Sequence, residues 1–307
     1  MSIQNMKTSL LGVLSVLLFA TASSLVAGET VDKRINVPAD GTVEIENMAG
    51  SIKVSGWDRD EVHVEGELDD NADGLKFVNN GGFTTVKVEY PRQRGGFWDG
   101  DDRIRGSDLQ VRVPRSSRIV VSSVSADVDV SEVDGPLEVE TISGSMNVFT
   151  QAVDITLESI SGDIRLGESA DAVRANVETV SGDVRIAGFR GDISASSVSG
   201  DIELMKARLA RGEFINTSGD IEVSAAFSAG GIFRFKAISG DITAVFDNEP
   251  DGDFDITTFS GDIDNNFGPE PKKVSRYTPN QELKFRAGDG DGEFTFSSMS
   301  GDIEIRK

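Results

Sequence analysis

The chain has 307 residues, no cysteine and one histidine, and its 52 acidic against 30 basic residues give a net charge of −22. That composition excludes disulfides, thiolate metal centres and clustered-histidine metal sites. It also disfavours nucleic acid and anionic lipid surfaces as partners and suits a solvated protein that meets cationic ones.

Residues 1–27 read as a secretory signal peptide. Lys7 precedes an apolar run from Leu10 to Ala20, and small residues at Ala20, Ala22 and Ala27 offer cleavage after Ala22 or Ala27. The run is too short to span a bilayer, so it predicts export to the periplasm or cell exterior. No transmembrane segment is expected after signal removal, and without a cysteine no lipid anchor of the lipoprotein kind.

Residues 28–118 are β-rich. An early segment runs Val43, Ile45, Asn47, Met48, then Ala49-Gly50-Ser51-Ile52-Lys53-Val54. Beyond it Val62 and Val64, Val86 and Val88, and Leu109, Val111 and Val113 alternate, with Pro91 and Pro114 ending runs. Such strands are expected to cap one end of the molecule, since an uncovered stack would expose strand edges. His63 lies between Val62 and Val64, and its parity predicts the outer face. The loop from Pro91 to Gly106 combines arginines, aspartates and aromatics, and Arg94 and Trp98 are its candidate binding residues.

Residues 119–307 repeat. Ser-Gly-Asp followed by Ile or Val begins at Ser161, Ser181, Ser199, Ser218, Ser239, Ser260 and Ser300, in steps of 20, 18, 19, 21, 21 and then 40 residues. Degenerate copies precede them at Ser125-Ala126-Asp127 and Ser143-Gly144-Ser145. Each copy is flanked by period-two alternation, the mark of strands, and a fixed period near 20 residues is the mark of stacked coils. A small-apolar pair such as Ser159-Ile160 or Thr179-Val180 interrupts the alternation just before each copy, so the chain must bend there. Glycine supplies the conformation of the bend, and Asp can accept nearby backbone amides. The final copy, followed only by Ile303 and Ile305 before the chain ends, is expected to close the stack. Eleven of the seventeen phenylalanines fall at or after Phe214, which predicts bulkier core filling there.

The leader, the segments Val43-x-Ile45-x-Asn47 and Gly50-Ser51-Ile52-x-Val54, the run Trp57-Asp58-Arg59-Asp60-Glu61-Val62-x-Val64 and the serial Ser-Gly-Asp-Ile copies resemble a bacterial family. It is the family of unknown function labelled putative adhesin, with β-strand repeats, related to the head domain of some autotransporter adhesins. The resemblance covers about residues 35–307 and implies a β-helical envelope protein without catalytic residues.

The fold expected is all-β, a single-stranded right-handed parallel β-helix, or β-solenoid, of roughly ten coils of 18–21 residues with an N-terminal β cap. Its parts are the signal peptide 1–27, the cap and first coils 28–118, and the repeat region 119–307, continuous with the cap. Handedness rests on the resemblance and on the general prevalence of right-handed helices. In register, the repeated aspartates form a column whose carboxylates must bond backbone amides or bind cations. Asp289, Asp291 and Glu293 place oxygens at alternate positions, as calcium ligation would, but complete no calcium-loop pattern, so turns are the expected reading. Arg190-Gly191-Asp192 falls where a second corner already calls for glycine and aspartate. No nucleophile–histidine–acid set can be assembled. The sequence therefore points to an exported, non-enzymatic adhesin or scaffold that binds an envelope protein or a glycan. A polysaccharide lyase or hydrolase on the same rod is the alternative, and an envelope-stress accessory protein the third reading.

Overall fold

Alternating valine, isoleucine and leucine between polar residues leave one face of each segment apolar, and such faces bury themselves by stacking in register. The structure, a computed structural model, describes residues 28–91, 105–168, 173–274 and 279–307. These form strands throughout, with no helix among the described residues and so none long and apolar enough to cross a membrane.

The N-terminal strands are β1 (Thr30–Asn36), β2 (Thr42–Trp57), β3 (Glu61–Glu67), β4 (Gly74–Asn80), β5 (Phe83–Glu89) and β6 (Ser107–Pro114). The repeats contribute β7 (Arg118–Ser131), β8 (Leu137–Ser143), β9 (Met146–Phe149), β10 (Asp154–Ser161), β11 (Ile164–Leu166), β12 (Val173–Ser181), β13 (Val184–Ala187) and β14 (Arg190–Ser199). After them come β15 (Ile202–Ser218), β16 (Ile221–Phe227), β17 (Ile232–Ser239) and β18 (Ile242–Phe246). The chain ends with β19 (Gly252–Ser260), β20 (Ile263–Asn265), β21 (Lys272–Lys273), β22 (Gln281–Ala287), β23 (Glu293–Ser300) and β24 (Ile303–Arg306).

Two parallel ladders meet at the Ser-Gly-Asp corner. Before the corner the order is β5, β2, β7, β8, β10, β12, β14, β15, β17, β23, β19. After it the order is β6, β2, β7, β9, β11, β13, β15, β16, β18, β24, β20. Both ends finish in antiparallel strands: β4 on β5 and β3 on β6 at one end, β22 on β19 at the other.

The stack does not follow chain order at its ends. β2 forms its coil first, and β5 and β6 then build the coil outside it before the chain steps back to β7. The C-terminal end mirrors this. β23 and β24 enter between β17–β18 and β19–β20, so the last Ser-Gly-Asp copy is inserted and does not close the stack as its position in the chain suggests. The 40-residue interval before Ser300 is the chain needed to go out to the end and return, and β22 lies within it.

The core records the same order in its aromatics. Phe214 stacks on Phe235 at 5.1 Å and Phe235 on Phe296 at 4.5 Å. In the neighbouring column Phe233 meets Phe294 at 4.9 Å, Phe294 meets Phe254 at 4.5 Å and Phe254 meets Phe285 at 4.6 Å. The late phenylalanines thus fill the axis as two continuous piles, with the inserted coil's Phe296 ending the first and its Phe294 inside the second.

Candidate corner site

At the corner the small member of each small-apolar pair turns inward and the apolar member outward. Ser159, Thr179 and Ser197 are buried, whereas Ile160, Val180 and Val198 are about half exposed. The interior has room only for a short side chain where the wall bends. Asn216 fills that position in its own coil and ties the corner from inside, its amide donating to the Gly200 carbonyl at 2.8 Å.

Stacking converts this local rule into a surface feature. Along the ladder the outward positions are Met48, Val124, Ile142, Ile160, Val180, Val198, Thr217, Ile238, Met299 and Phe259, and all but Thr217 are apolar and 39–61 % exposed. At about 4.8 Å per coil, the row is on the order of 43 Å long. Single exposed apolar residues are ordinary, but a continuous row marks an interaction surface.

Beside the row stand eight registered serines, from Ser143 through Ser161, Ser181, Ser199, Ser218, Ser239 and Ser300 to Ser260. Next to them the aspartates form one hydrogen-bonded chain. The Asp183 amide donates to the Asp163 carboxylate at 3.2 Å and the Asp201 amide to Asp183 at 3.0 Å. The series continues through Asp220, Asp241, Asp302 and Asp262 at 2.8–2.9 Å. Each carboxylate thus serves the neighbouring coil's corner, not its own. The chain ends at Gln281 on β22, whose side-chain amide donates to Asp262 at 2.6 Å. Arg165 and Arg185 reach Asp163 and Asp183 at 3.1 and 2.8 Å.

The other flank is acidic and unbalanced. Glu140, Glu158 and Glu178 are registered directly above one another, with Glu138 one column away. Glu138 pairs with Arg118 at 2.6 Å, and Glu178 accepts the Asn176 amide at 2.8 Å. Glu140 and Glu158 have no cation within ion-pair distance among the described residues. Partial burial, then the charges of Glu178, Glu140 and Glu138, hold the Glu158 carboxyl above the ordinary glutamate range.

Arg94 and Trp98 lie outside the described residues. The root of their loop is nevertheless defined. β5 and β6, the strands that flank it in the chain, are registered on the two halves of β2 on either side of its corner. Asp69 anchors the return, accepting the amides of Arg105, Gly106 and Asn71 at 2.5, 2.7 and 2.7 Å. Burial pushes the Asp69 carboxyl up, but the three amides together hold it below the usual carboxylate range.

Asp289, Asp291 and Glu293 are not brought together as a metal cage. The turn before β23 is tied instead by Asp251, which accepts the Gly290 amide at 2.8 Å. Among the described residues only Asp32, His63 and Glu65 bring their donor atoms within 4.8 Å of one another. His63 corrects the parity reading: it is buried, with Nε2 2.8 Å from Asp32 and 3.3 Å from Glu65. Alternation assigns it to the face opposite the core, but Trp57 covers that face, stacked at 6.0 Å. Arg112 lies 3.4 Å from Glu65 and Arg34 4.0 Å from Asp32, so arginines already answer these carboxylates and a cation would have to compete with them. Arg190-Gly191-Asp192 opens β14 as part of a strand, all three paired with β15 and Gly191 and Asp192 also with β12.

The family model described as Toastrack DUF4097 matches residues 41–306. The chain belongs to that family. Solved structures similar to this Toastrack chain include a putative adhesin from Bacteroides fragilis, at 11 % identity and TM-score 0.46, covering 90 % of this chain and 97 % of that one. A putative lipid binding protein from Parabacteroides distasonis is 16 % identical at TM-score 0.47, with 91 % and 98 % covered. A putative adhesin from Parabacteroides merdae is 11 % identical at TM-score 0.41, with 91 % and 97 % covered. Comparison with curated proteins finds no match.

Proposed function

We propose that this Toastrack protein is an exported, non-enzymatic binding or scaffold protein of the bacterial envelope, and that the corner row is its binding face. The carrying observation is the line of half-exposed apolar side chains, broken only at Thr217, that the repeat places outside when it has a small residue to place inside. Rows like this remain in contact with water only at a free-energy cost, which a partner relieves at about 1 kcal/mol for each half-exposed valine or isoleucine it covers. The fold reading that goes with it is a right-handed rod of roughly ten coils, with the antiparallel strands at its first end acting as a cap. Export follows from the leader at residues 1–27, and the strong negative charge turns the protein away from nucleic acid.

The test is a double variant, Ile160→Ser with Val180→Ser, compared with the wild-type mature protein in envelope extracts and on a glycan array. Loss of a retained protein or glycan with unchanged thermal unfolding supports the reading. Full retention of every ligand by the variant, together with turnover of any glycan by the wild type, would replace it with an enzymatic one.

A further inference from the structure

The proposed binding face has two different flanks in its central part, and they differ in what they still require. On the serine side the carboxylates of Asp163 and Asp183 are occupied, each accepting a backbone amide and each near an arginine. On the other side Glu140, Glu158 and Glu178 rise in register with no arginine or lysine of the described residues within ion-pair distance. Carboxylates about 5 Å apart repel one another even in water. A fold with only this purpose could place threonine or asparagine there, as it does one column away at Thr156 and Asn176.

Ile142, Ile160 and Val180 adjoin this triplet, each two residues along the chain from its glutamate. The surface therefore presents two parallel lines with a common repeat of one coil, one apolar and one anionic. A second copy of the same face would bring two anionic lines together, so the charge disfavours self-association through it. We propose that the outer face of β8, β10, β12 and β14 beside the corner docks an extended, cationic segment of a partner protein, in which apolar residues meet Ile142, Ile160 and Val180 while lysines or arginines meet the glutamates. The inference rests on the corner row being the binding face and adds the partner's chemistry. Glu158 fits this role, since a carboxyl that burial and like charges already hold towards its neutral form gains most from an arriving cation.

Three fluorescent peptides of equal length test it: alternating Lys-Leu, alternating Ser-Leu and alternating Glu-Leu, titrated into the full mature protein and followed by anisotropy. Three variants accompany the wild type: Glu140→Gln/Glu158→Gln/Glu178→Gln, Ile160→Ser/Val180→Ser, and the charge-matched control Glu203→Gln/Glu222→Gln/Glu304→Gln on the strands after the corner. The expected result is saturable binding of the Lys-Leu peptide alone, weakened at least tenfold by the first two variants and less than twofold by the control. Equal loss in the control shows general attraction to an acidic protein and overturns the proposal. Binding of the Ser-Leu peptide as tight as Lys-Leu, sensitive to Ile160→Ser/Val180→Ser only, overturns the cationic partner but leaves the binding face standing. Insensitivity of every peptide to Ile160→Ser/Val180→Ser overturns both.

Discussion

Gly182→Ala and Gly74→Ala separate the two reasons for a glycine in this fold. Both positions have similar positive φ, 146° and 138°. At Gly182 an added Cβ would stand 2.3 Å from the carbonyl oxygen of Gly162 and 2.6 Å from its carbon, whereas at Gly74 it would meet nothing within 4 Å. Each variant carries about 1–3 kcal/mol of backbone strain. Gly182→Ala must in addition force two coils apart at the corner, and overpacking of that kind costs about 1–3 kcal/mol more. The expected gap between the two variants is therefore about 2 kcal/mol, roughly 3–4 °C in melting temperature for a chain of this size. Circular dichroism during thermal and urea unfolding measures it. Equal destabilisation by the two substitutions would refute the claim that the corner glycines are required by the closeness of the coils.

Phe296→Ala removes the end of the pile with Phe235 and should cost about 3–5 kcal/mol, read from urea unfolding. Truncation after Gly288 deletes β23 and β24 from between two other coils, so it should increase proteolysis throughout 242–265 and not merely shorten the product; a stable fragment with β19 still protected would contradict the inserted order. Asp69 is held below its ordinary range, so its contribution is present above about pH 4, the unfolded value, and disappears as pH falls through the lower folded value. Asp69→Asn should accordingly speed cleavage in the 91–106 loop at pH 7 and converge with the wild type near pH 2. Glu158 has the opposite sign: its raised carboxyl favours the folded state below about pH 4.5, and that contribution is lost as pH rises through the folded value. Glu158→Gln should raise the melting temperature at pH 7 and leave it unchanged at pH 3.

Much of the architecture is legible in the repeat because the causes are local. Ser161-Gly162-Asp163 needs a bend, a conformation open to glycine and an acceptor for an amide, and each requirement acts within one coil and its neighbour. The bend at Ser159-Ile160 is equally visible, but not which residue of the pair turns inward; that follows from how little space a corner leaves inside. Order at the ends is not legible. The copy at Ser300 has the same local sequence wherever it stacks, and its place between β17 and β19 is decided by the phenylalanine piles that span coils. His63 shows the other limit. Alternation separates two faces correctly, yet Trp57, six residues earlier, folds over the face that alternation leaves to solvent. The row from Met48 to Phe259 is present in the sequence as the apolar half of every pair but Asn216-Thr217, and only stacking turns it into one surface.

The most direct test of that surface as the binding face is photo-crosslinking in the native envelope, with a photoreactive residue placed singly at 142, 160, 180 and 198, and at 203, 222 and 243 on the strands after the corner. The account predicts one common adduct from the first four positions and none from the other three. Adducts at 222 or 243 as strong as those at 160 and 180 would contradict it.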